Sequence, residues 1–280
     1  MDTKSKAMEK FLTKKKVWFN YLCIILLAFI SMNLQCQDIE EEEASALAKE
    51  SANPIANLIS VPIQANINFG YGDYNRVRTV VNLQPVIPFR LSSKVNVINR
   101  IILPIISQPD SAESGGTFGL GNINYSMFFT PSRAAKFTWG VGPAFNIPTL
   151  TNENLGVNAF GIGPSAVGLL VLEHLVIGAT FNRLWSYNGS AVNSFFAQYF
   201  ITYNMAKGWY LNTNPNIYAN LNAADGEQWT VPFGLGGGRV THFGDQPIKL
   251  QVQYYFNAIR PTGAAKSTLM VQLVFLFPPG

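Results

Sequence analysis

Cysteine, charge and long hydrophobic runs are all scarce in this chain of 280 residues. Both cysteines, Cys23 and Cys36, fall within the first 36 residues, so the remainder offers no disulfide or thiol chemistry. Only 13% of the residues are charged, against roughly 25% in ordinary soluble domains. A single run, residues 17–30, is long and apolar enough to suggest a membrane helix. The composition therefore excludes a disulfide scaffold and a bundle of membrane helices.

The N-terminus has the layout of a secretory signal. A basic region, Lys14 to Lys16, precedes the apolar run 17–30 and a short polar exit, residues 31–37. We predict a signal peptide over residues 1–36, with an uncleaved anchor helix as the alternative. These residues also hold the whole net charge of +4, so the basic pI is no indication of nucleic-acid binding.

An acidic run follows the predicted signal. Asp38 and Glu40 to Glu43 precede good helix formers, and Asn53-Pro54 stops helical structure. We predict a periplasmic segment, residues 37–60, with a short helix near residues 40–52. This segment is either a solvated tail or one that docks in or under the rest of the protein. Basic residues outnumber acidic ones from Asn53 onward, so charge attraction favours docking.

Apolar and polar residues alternate from Val61 onward. Val61 and Ile63 alternate with Gln64 and Asn66, and Leu250 and Val252 alternate with Gln251 and Gln253. A period of two places the two sets on opposite faces of a strand. One such strand, residues 267–277, would also suit a soluble sandwich. Its repetition along the chain favours the apolar-out, polar-in wall of a membrane barrel.

The sequence predicts an all-β fold, an antiparallel transmembrane β-barrel of about twelve strands over residues 61–277. Short turns alternate with longer polar loops, as expected of bacterial barrels. Tryptophans fall near opposite strand ends, as in aromatic girdles: Trp139 and Trp209 near turns, Trp185 and Trp229 near loops. The predicted strands are 61–71, 77–89, 95–107, 118–129, 136–147, 159–171, 175–187, 194–205, 209–220, 228–240, 247–259 and 267–277.

Glycine and proline recur together inside three predicted strands, at residues 140–144, 161–165 and 232–238. Proline removes a ladder hydrogen bond, and a closed barrel has no edge strand to tolerate it. We therefore predict β-bulges at these places. None of the glycines lies between a strand and a helix, so they do not predict a phosphate-binding loop.

Several segments resemble a family of bacterial outer-membrane proteins usually labelled "transporter" and often mislabelled neuromedin U. Those segments are residues 47–49, 53–62, 84–88, 102–104, 119–124, 139–143, 208–211, 229–232 and 260–261. They occur in the family's order along nearly all of the mature chain. A more distant similarity is to outer-membrane proteins encoded beside phenol-degradation pathways. The resemblance implies an outer-membrane barrel and indicates little about the solute.

Catalytic and metal-binding patterns are not found in the sequence. His174 and His242 fall at predicted turns on separate hairpins, and residues 163–167 lack the final glycine of a nucleophile elbow. No spacing of cysteine, histidine or carboxylates suits a metal. We therefore expect no catalytic residue, no cofactor and no metal site, and we rank an enzyme third.

The predicted lumen is lined by amides and a few cations, which suits a passive channel for small anionic or aromatic solutes. A non-transporting structural or binding barrel with a packed lumen is the alternative. Expected partners are membrane lipid, lipopolysaccharide and the barrel-assembly machinery at the C-terminal strand, with no nucleic acid. The lumen candidates are Asn66, Asn68, Arg78, Asn82, Gln84, Arg100, Asn122, Asn124, Gln198, Asn212, Asn214, Asn216, Lys249, Gln251 and Gln253.

Overall fold

The computed structural model describes residues 41–110, 114–133, 135–187 and 191–278. The predicted signal peptide lies outside these ranges and stays a prediction. Within them, one α-helix (α1, Glu41–Ser51) precedes a run of antiparallel strands. No helix in these ranges is long and apolar enough to cross a membrane.

Twelve strands form the wall, three of them in two segments each. Each break holds two residues, one of which is a proline or a glycine. The strands are β1 (Ile59–Tyr71), β2 (Arg76–Leu83 and Val86–Arg90), β3 (Val95–Pro109), β4 (Gly116–Leu120 and Ile123–Pro131), β5 (Phe137–Ile147), β6 (Gly161–Val171), β7 (Leu175–Trp185), β8 (Asn193–Asn204), β9 (Trp209–Thr213 and Asn216–Asn220), β10 (Trp229–Phe243), β11 (Gln246–Ile259) and β12 (Ser267–Phe277).

The sheet closes on itself. Each strand pairs antiparallel with the next, and β12 pairs with β1 from Ile59↔Phe277 to Phe69↔Ser267. Closure leaves no unpaired strand edge, which a wall surrounded by lipid requires. We call the end with Ile59 and Phe277 the proximal end and the opposite end the distal end. The predicted twelve-stranded antiparallel barrel is confirmed.

Two short 3-10 helices complete the secondary structure. Ala206–Gly208 forms the proximal turn before β9, where Lys207 has a φ of 59°. Glu153–Leu155 lies in the distal loop between β5 and β6, and the Asn152 side chain caps it by accepting from the Asn154 N–H.

The strand β10 runs further than its pattern predicted. It ends at Phe243, which pairs with Gln246 across the two-residue turn Gly244-Asp245. Gly244 has a φ of 58°, which glycine adopts without steric cost. His242 therefore lies in the strand and not in the turn.

The prediction of bulges is right at one of three places. The register shifts between Val231 and Pro232, but β5 and β6 pair without a break, with Pro143 opposite Pro164. At Gly163 an added Cβ would collide with the Arg183 carbonyl oxygen of β7. The β6–β7 ladder has a gap there, between Ile162↔Trp185 and Ser165↔Asn182, but its register does not shift. The glycine permits the close approach of the two backbones at this gap without a bulge.

The outer face of the barrel is apolar and bounded by tryptophan at both ends. Trp139 and Trp209 lie near the proximal ends of β5 and β9, and Trp185 and Trp229 lie at distal strand ends. All four side chains are between 37% and 48% exposed. An apolar band between two girdles of aromatic residues is typical of a barrel surface that faces the lipid bilayer.

Arginine at Val252 should destabilise the barrel by about 2–4 kcal/mol, because Val252 faces outward in the middle of β11. Urea unfolding in lipid vesicles measures the change, with Val252→Leu as the apolar control. A lumen position should tolerate arginine better. Gln253 is unsuitable for that comparison because it is buried and hydrogen-bonded to Tyr255.

Asn124 is the better comparison. It is half-buried and lies on the inward face of β4, opposite Asn146 of β5. Asn124→Arg should cost less than half of what Val252→Arg costs. Equal losses of stability at the two positions would show that the assignment of faces is wrong.

Candidate functional site: the barrel interior and its N-terminal plug

The segment before β1 lies inside the proximal end of the barrel. Helix α1 contacts the 3-10 turn before β9 and the strands β8, β9 and β10. The chain then turns back through residues 52–58 and enters β1. We call residues 45–58 the plug. Of the two arrangements that the sequence left open, this is the docked one.

Apolar side chains of the plug pack against opposite walls of the lumen. Leu47, Ala48 and Leu58 form one cluster with wall residues of β9, β10 and β12. Ile55 is buried in a second cluster with wall residues of β3, β4, β6, β7 and β8. The wall residues are Tyr210, Val240, Val274 and Leu276 in the first cluster, and Ile98, Phe128, Val167, Leu169, Val176 and Phe200 in the second. The plug therefore spans the lumen between two apolar contacts.

A turn stabilised by Asn53 directs Ile55 to its wall. The Asn53 Oδ1 accepts from the Ile55 N–H at 2.9 Å, and the Asn53 carbonyl accepts from the Ala56 N–H at 3.2 Å. Asparagine side chains commonly form such turns because they hydrogen-bond the backbone two residues on. Asn53-Pro54 thus ends the helix, as predicted from the sequence. The turn that Asn53 forms also directs the Ile55 side chain into the second apolar cluster.

The cation at the C-terminal end of α1 is Lys249 of β11. Its Nζ donates to the Ser51 carbonyl at 3.3 Å and lies 4.7 Å from the centre of the Tyr210 ring. The last carbonyls of a helix have no helical partner and carry partial negative charge, so a lysine there is stabilising. The Tyr210 ring adds a cation–π contact.

The contacts of the plug differ in kind from the charge attraction that the sequence suggested. Arg78 donates to the Gln108 side chain and Arg100 to the Gln84 side chain, and Lys249 holds a backbone carbonyl. None of these three cations pairs with a plug carboxylate in the described part of the chain. The acidic side chains of residues 38–43 lie outside the described residues, and their pairing stays a prediction. Within the described residues, burial of apolar side chains contributes more to holding the plug in the barrel than ion pairs do.

A cavity of about 140 Å³ remains between the plug and the barrel wall. It is smaller than the roughly 300–1,000 Å³ of pockets for drug-sized ligands. Plug residues 51–54 form one side of it. Seven of the predicted lumen residues line the opposite side: Gln84, Arg100, Gln198, Asn212, Asn214, Lys249 and Gln251. Gln64 also lines the cavity, and the prediction did not include it.

A ladder of hydrogen bonds joins β9 to β11 beside this cavity. Asn212 Nδ2 donates to Gln251 Oε1 at 2.7 Å, and Gln253 Nε2 donates to the Asn212 carbonyl at 3.4 Å. The Tyr255 hydroxyl lies 2.7 Å from Gln253 Oε1 and accepts from the Asn214 N–H at 2.9 Å. These side chains cross the inner face of β10, where Gly234, Gly236 and Gly238 leave room for them.

Nearer the distal end, the predicted residues form a second polar group. Asn68 Nδ2 donates to the Arg78 carbonyl at 3.1 Å, and its Oδ1 accepts from Thr268 at 2.7 Å. Asn66 Oδ1 accepts from Gln64 at 3.0 Å, and Asn216 Oδ1 accepts from Gln198 at 2.6 Å. Asn82 and Asn124 share the inward face by register, opposite Gln64 and Asn146.

The distal mouth is narrowed by the loop between β5 and β6. Gln108 Nε2 donates to the Asn154 carbonyl at 2.8 Å, which links Arg78 through Gln108 to this loop. Asn122 lies at the mouth, in the break of β4, where its Nδ2 donates to the Val157 carbonyl at 2.6 Å. Asn122 therefore positions this loop, and among the described residues its side chain makes no hydrogen bond with the lumen wall.

A second distal contact is a carboxylate clamp. Glu227 accepts from the Thr262 hydroxyl and N–H, which joins the loop after β9 to the loop after β11. These bonds hold the pKa of the Glu227 carboxyl below its usual value, because they stabilise its charged form.

No strand of the barrel contains aspartate or glutamate. The three inward cations, Arg78, Arg100 and Lys249, donate to amide and carbonyl oxygens, and the strands of the wall carry no carboxylate. Cations without carboxylates attract anions in a confined, low-dielectric space. The interior can therefore hold or pass an anion.

Aromatic residues of the inner wall were missed from the sequence. Phe196 and Tyr218 face the lumen by register, with ring centres 5.2 Å apart, and the Tyr218 side chain is half exposed there. Gln64 and Gln272 were also omitted, although both lie on the polar face of their alternating strands. Alternation could have found all four, because aromatic residues on a polar face mark the lumen as well as amides do.

Within the described ranges, no group of three or more histidine, cysteine or carboxylate residues could hold a metal. His174 lies in a proximal turn, 3.7 Å from Glu173 and largely exposed. His242 lies on β10, away from that turn.

Comparison with known proteins supports the fold. No protein-family profile and no curated protein matches the chain. An outer membrane channel from Pseudomonas putida F1 is similar in structure, with a TM-score of 0.60 at 14% identity, over 79% of this chain and 96% of that one.

Two further structures are similar at lower scores. The CymD monoaromatic hydrocarbon channel has a TM-score of 0.44 at 9% identity, over 86% of this chain and 93% of that one. LpxR from Salmonella typhimurium has a TM-score of 0.42 at 9% identity, over 78% and 100%. The likeness to the Pseudomonas putida F1 channel shows a shared barrel fold.

Proposed function

We propose that this protein is an outer-membrane channel through which small solutes pass passively, with a preference for anions. The observation that supports it is the charge of the wall: Arg78, Arg100 and Lys249 face the lumen, and no strand carries a carboxylate. Electrostatic selectivity in channels follows from such a one-sided set of charges. The plug and the loop between β5 and β6 narrow the two mouths, so the path suits small molecules.

Aromatic solutes are the second part of the proposal. The half-exposed Tyr218 ring and its neighbour Phe196 give the lumen an apolar surface beside the cations. An anionic ring compound could stack on this surface while a guanidinium attracts its charge.

The outer membrane is the proposed location, and the lipid there is the proposed partner of the apolar outer face. Lipopolysaccharide would contact the distal end and the barrel-assembly machinery would bind β12, whose terminal aromatic residue Phe277 is exposed. Membrane fractionation of cells that express the protein tests the location directly.

Anion preference should appear in planar bilayers as a reversal potential whose sign shows chloride to be more permeant than potassium. Arg78→Gln and Arg100→Gln together should move that potential toward the cation side, because they remove two lumen charges. Arg183→Gln is the matched control, since Arg183 is exposed on the outer face of β7. A cation-selective wild-type channel would contradict the proposal.

The alternative is a barrel that transports nothing. The apolar clusters around Leu47 and Ile55 and the hydrogen-bonded ladder from Asn212 to Tyr255 favour it, because they fill the proximal lumen. Absence of conductance in the full-length protein and also after removal of residues 38–51 would support this alternative.

A further inference from the structure

The cavity between the plug and the barrel wall combines two cations with a wall free of carboxylates. Arg100 and Lys249 both line it, and Lys249 is only 6% exposed. Arg100 Nη2 donates to Gln84 Oε1 at 3.3 Å, a long bond that engages one of the five guanidinium donors. Buried charges are costly unless they are paired, so this arrangement favours an anion within the cavity.

Two further polar groups line the same cavity. Asn212 and Gln251 are 7% and 3% exposed, and they bond to each other through Asn212 Nδ2 and Gln251 Oε1. The remaining amide atoms, Asn212 Oδ1 and Gln251 Nε2, are buried without a hydrogen-bond partner. Buried polar atoms are normally satisfied, so one acceptor and one donor here point to a bound group.

The N-terminal end of α1, at Glu41, is too distant along the helix to border the cavity. Glu41 lies ten residues before Ser51, which is about 15 Å along a helix that rises 1.5 Å per residue. Ser51, at the C-terminal end, is the part of α1 that borders the cavity and binds Lys249. The helix therefore presents a backbone carbonyl to the cavity.

We propose that this cavity binds a small oxyanion. Arg100 and Lys249 would neutralise its charge, Gln251 Nε2 would donate to an oxygen, and Asn212 Oδ1 would accept from a hydroxyl or a water beside it. A volume of about 140 Å³ admits a carboxylate or phosphate of a few heavy atoms with accompanying water, and excludes larger solutes. This proposal rests on the proposed function, because the cavity would be a binding site, next to the plug, for an anion that crosses the channel.

Calorimetric titration of the purified, detergent-solubilised full-length protein tests the site, with sodium acetate and sodium phosphate as separate probes at constant ionic strength. Saturable binding of one or both is expected, and the stronger binder identifies the class of oxyanion. Arg100→Gln should weaken binding by about tenfold to a hundredfold, because it removes a charged hydrogen-bond donor. Arg183→Gln, on the outer face, should bind like the wild type.

Gln251→Leu provides a second variant that leaves both cations in place, and it should weaken binding by a smaller factor. Heat-modifiable migration on gels verifies that each variant has folded. Binding of neither probe by the wild type, or equal binding by the wild type and Arg100→Gln, would overturn the site.

The site and the channel can fail separately. Anion selectivity in bilayers without saturable binding would leave the proposed function and remove the site. Saturable binding that depends on Arg100 in a protein without conductance would keep the site and remove the channel.

Discussion

Aspartate in place of Ala48 should unseat the plug and raise single-channel conductance several-fold. Ala48 is 1% exposed and packs in the apolar cluster with Leu47, Leu58 and the barrel wall. An unpaired carboxylate there would be buried among apolar groups. The free-energy cost of that burial exceeds the stabilisation that the apolar contacts of α1 give to the docked plug. Planar-bilayer recording of the purified variant measures the change.

Ala46→Asp is the matched control because Ala46 is exposed on the same helix, two residues away. It introduces the same charge and the same loss of helix propensity, so it should conduct like the wild type. Equal increases from both variants would indicate that charge in the mouth, and not release of the plug, changes the conductance.

Salt should separate the two possible forces on the plug. If apolar packing dominates, deletion of residues 38–51 should raise conductance by a similar factor at low and high salt. The charge attraction suggested by the sequence predicts a smaller rise at high salt, where ionic screening already weakens it. Recording both proteins at two salt concentrations decides between them.

Removal of the chain after Leu273 should abolish assembly of the barrel. The deletion takes away the β12 residues that pair with β1 from Ile59 to Pro62. Unpaired backbone groups in lipid cost several kcal/mol each, so the wall would be left open at its seam. The same deletion removes Val274 and Leu276 from the cluster that holds the plug.

Deletion of residues 278–280 alone is the control, because β12 ends at Phe277. That variant should show the heat-modifiable migration of the wild type on gels, and Phe277→Ser should show a reduced amount of the folded form. Folded protein after deletion beyond Leu273 would show that closure by β12 is not required for assembly.

The alternation of residues was enough to predict the wall. Val252 is apolar and Gln251 is polar. Because side chains alternate between the two faces of a strand, this difference assigns Val252 to the lipid-facing side and Gln251 to the lumen. Closure followed, because twelve strands with polar inner and apolar outer faces have no stable open form in lipid. Bulges were less predictable. A proline indicates that a ladder hydrogen bond is lost, but it does not show whether the register shifts. Only the structure shows that the Arg183 backbone of the neighbouring strand lies against Gly163 and that the strands pair there without a bulge.

The sequence by itself determined the fold, the short helix and the polar character of the lumen, because these depend on local patterns along each strand. Tertiary structure alone decided which residues meet. Ser51 and Lys249 are 198 positions apart, and no pattern within either segment indicates that one caps the other. The cavity between Arg100, Asn212 and Gln251 has the same origin, since it is enclosed by strands from distant parts of the chain and by the plug. Contacts across a lumen depend on closure and register, which only the assembled barrel fixes.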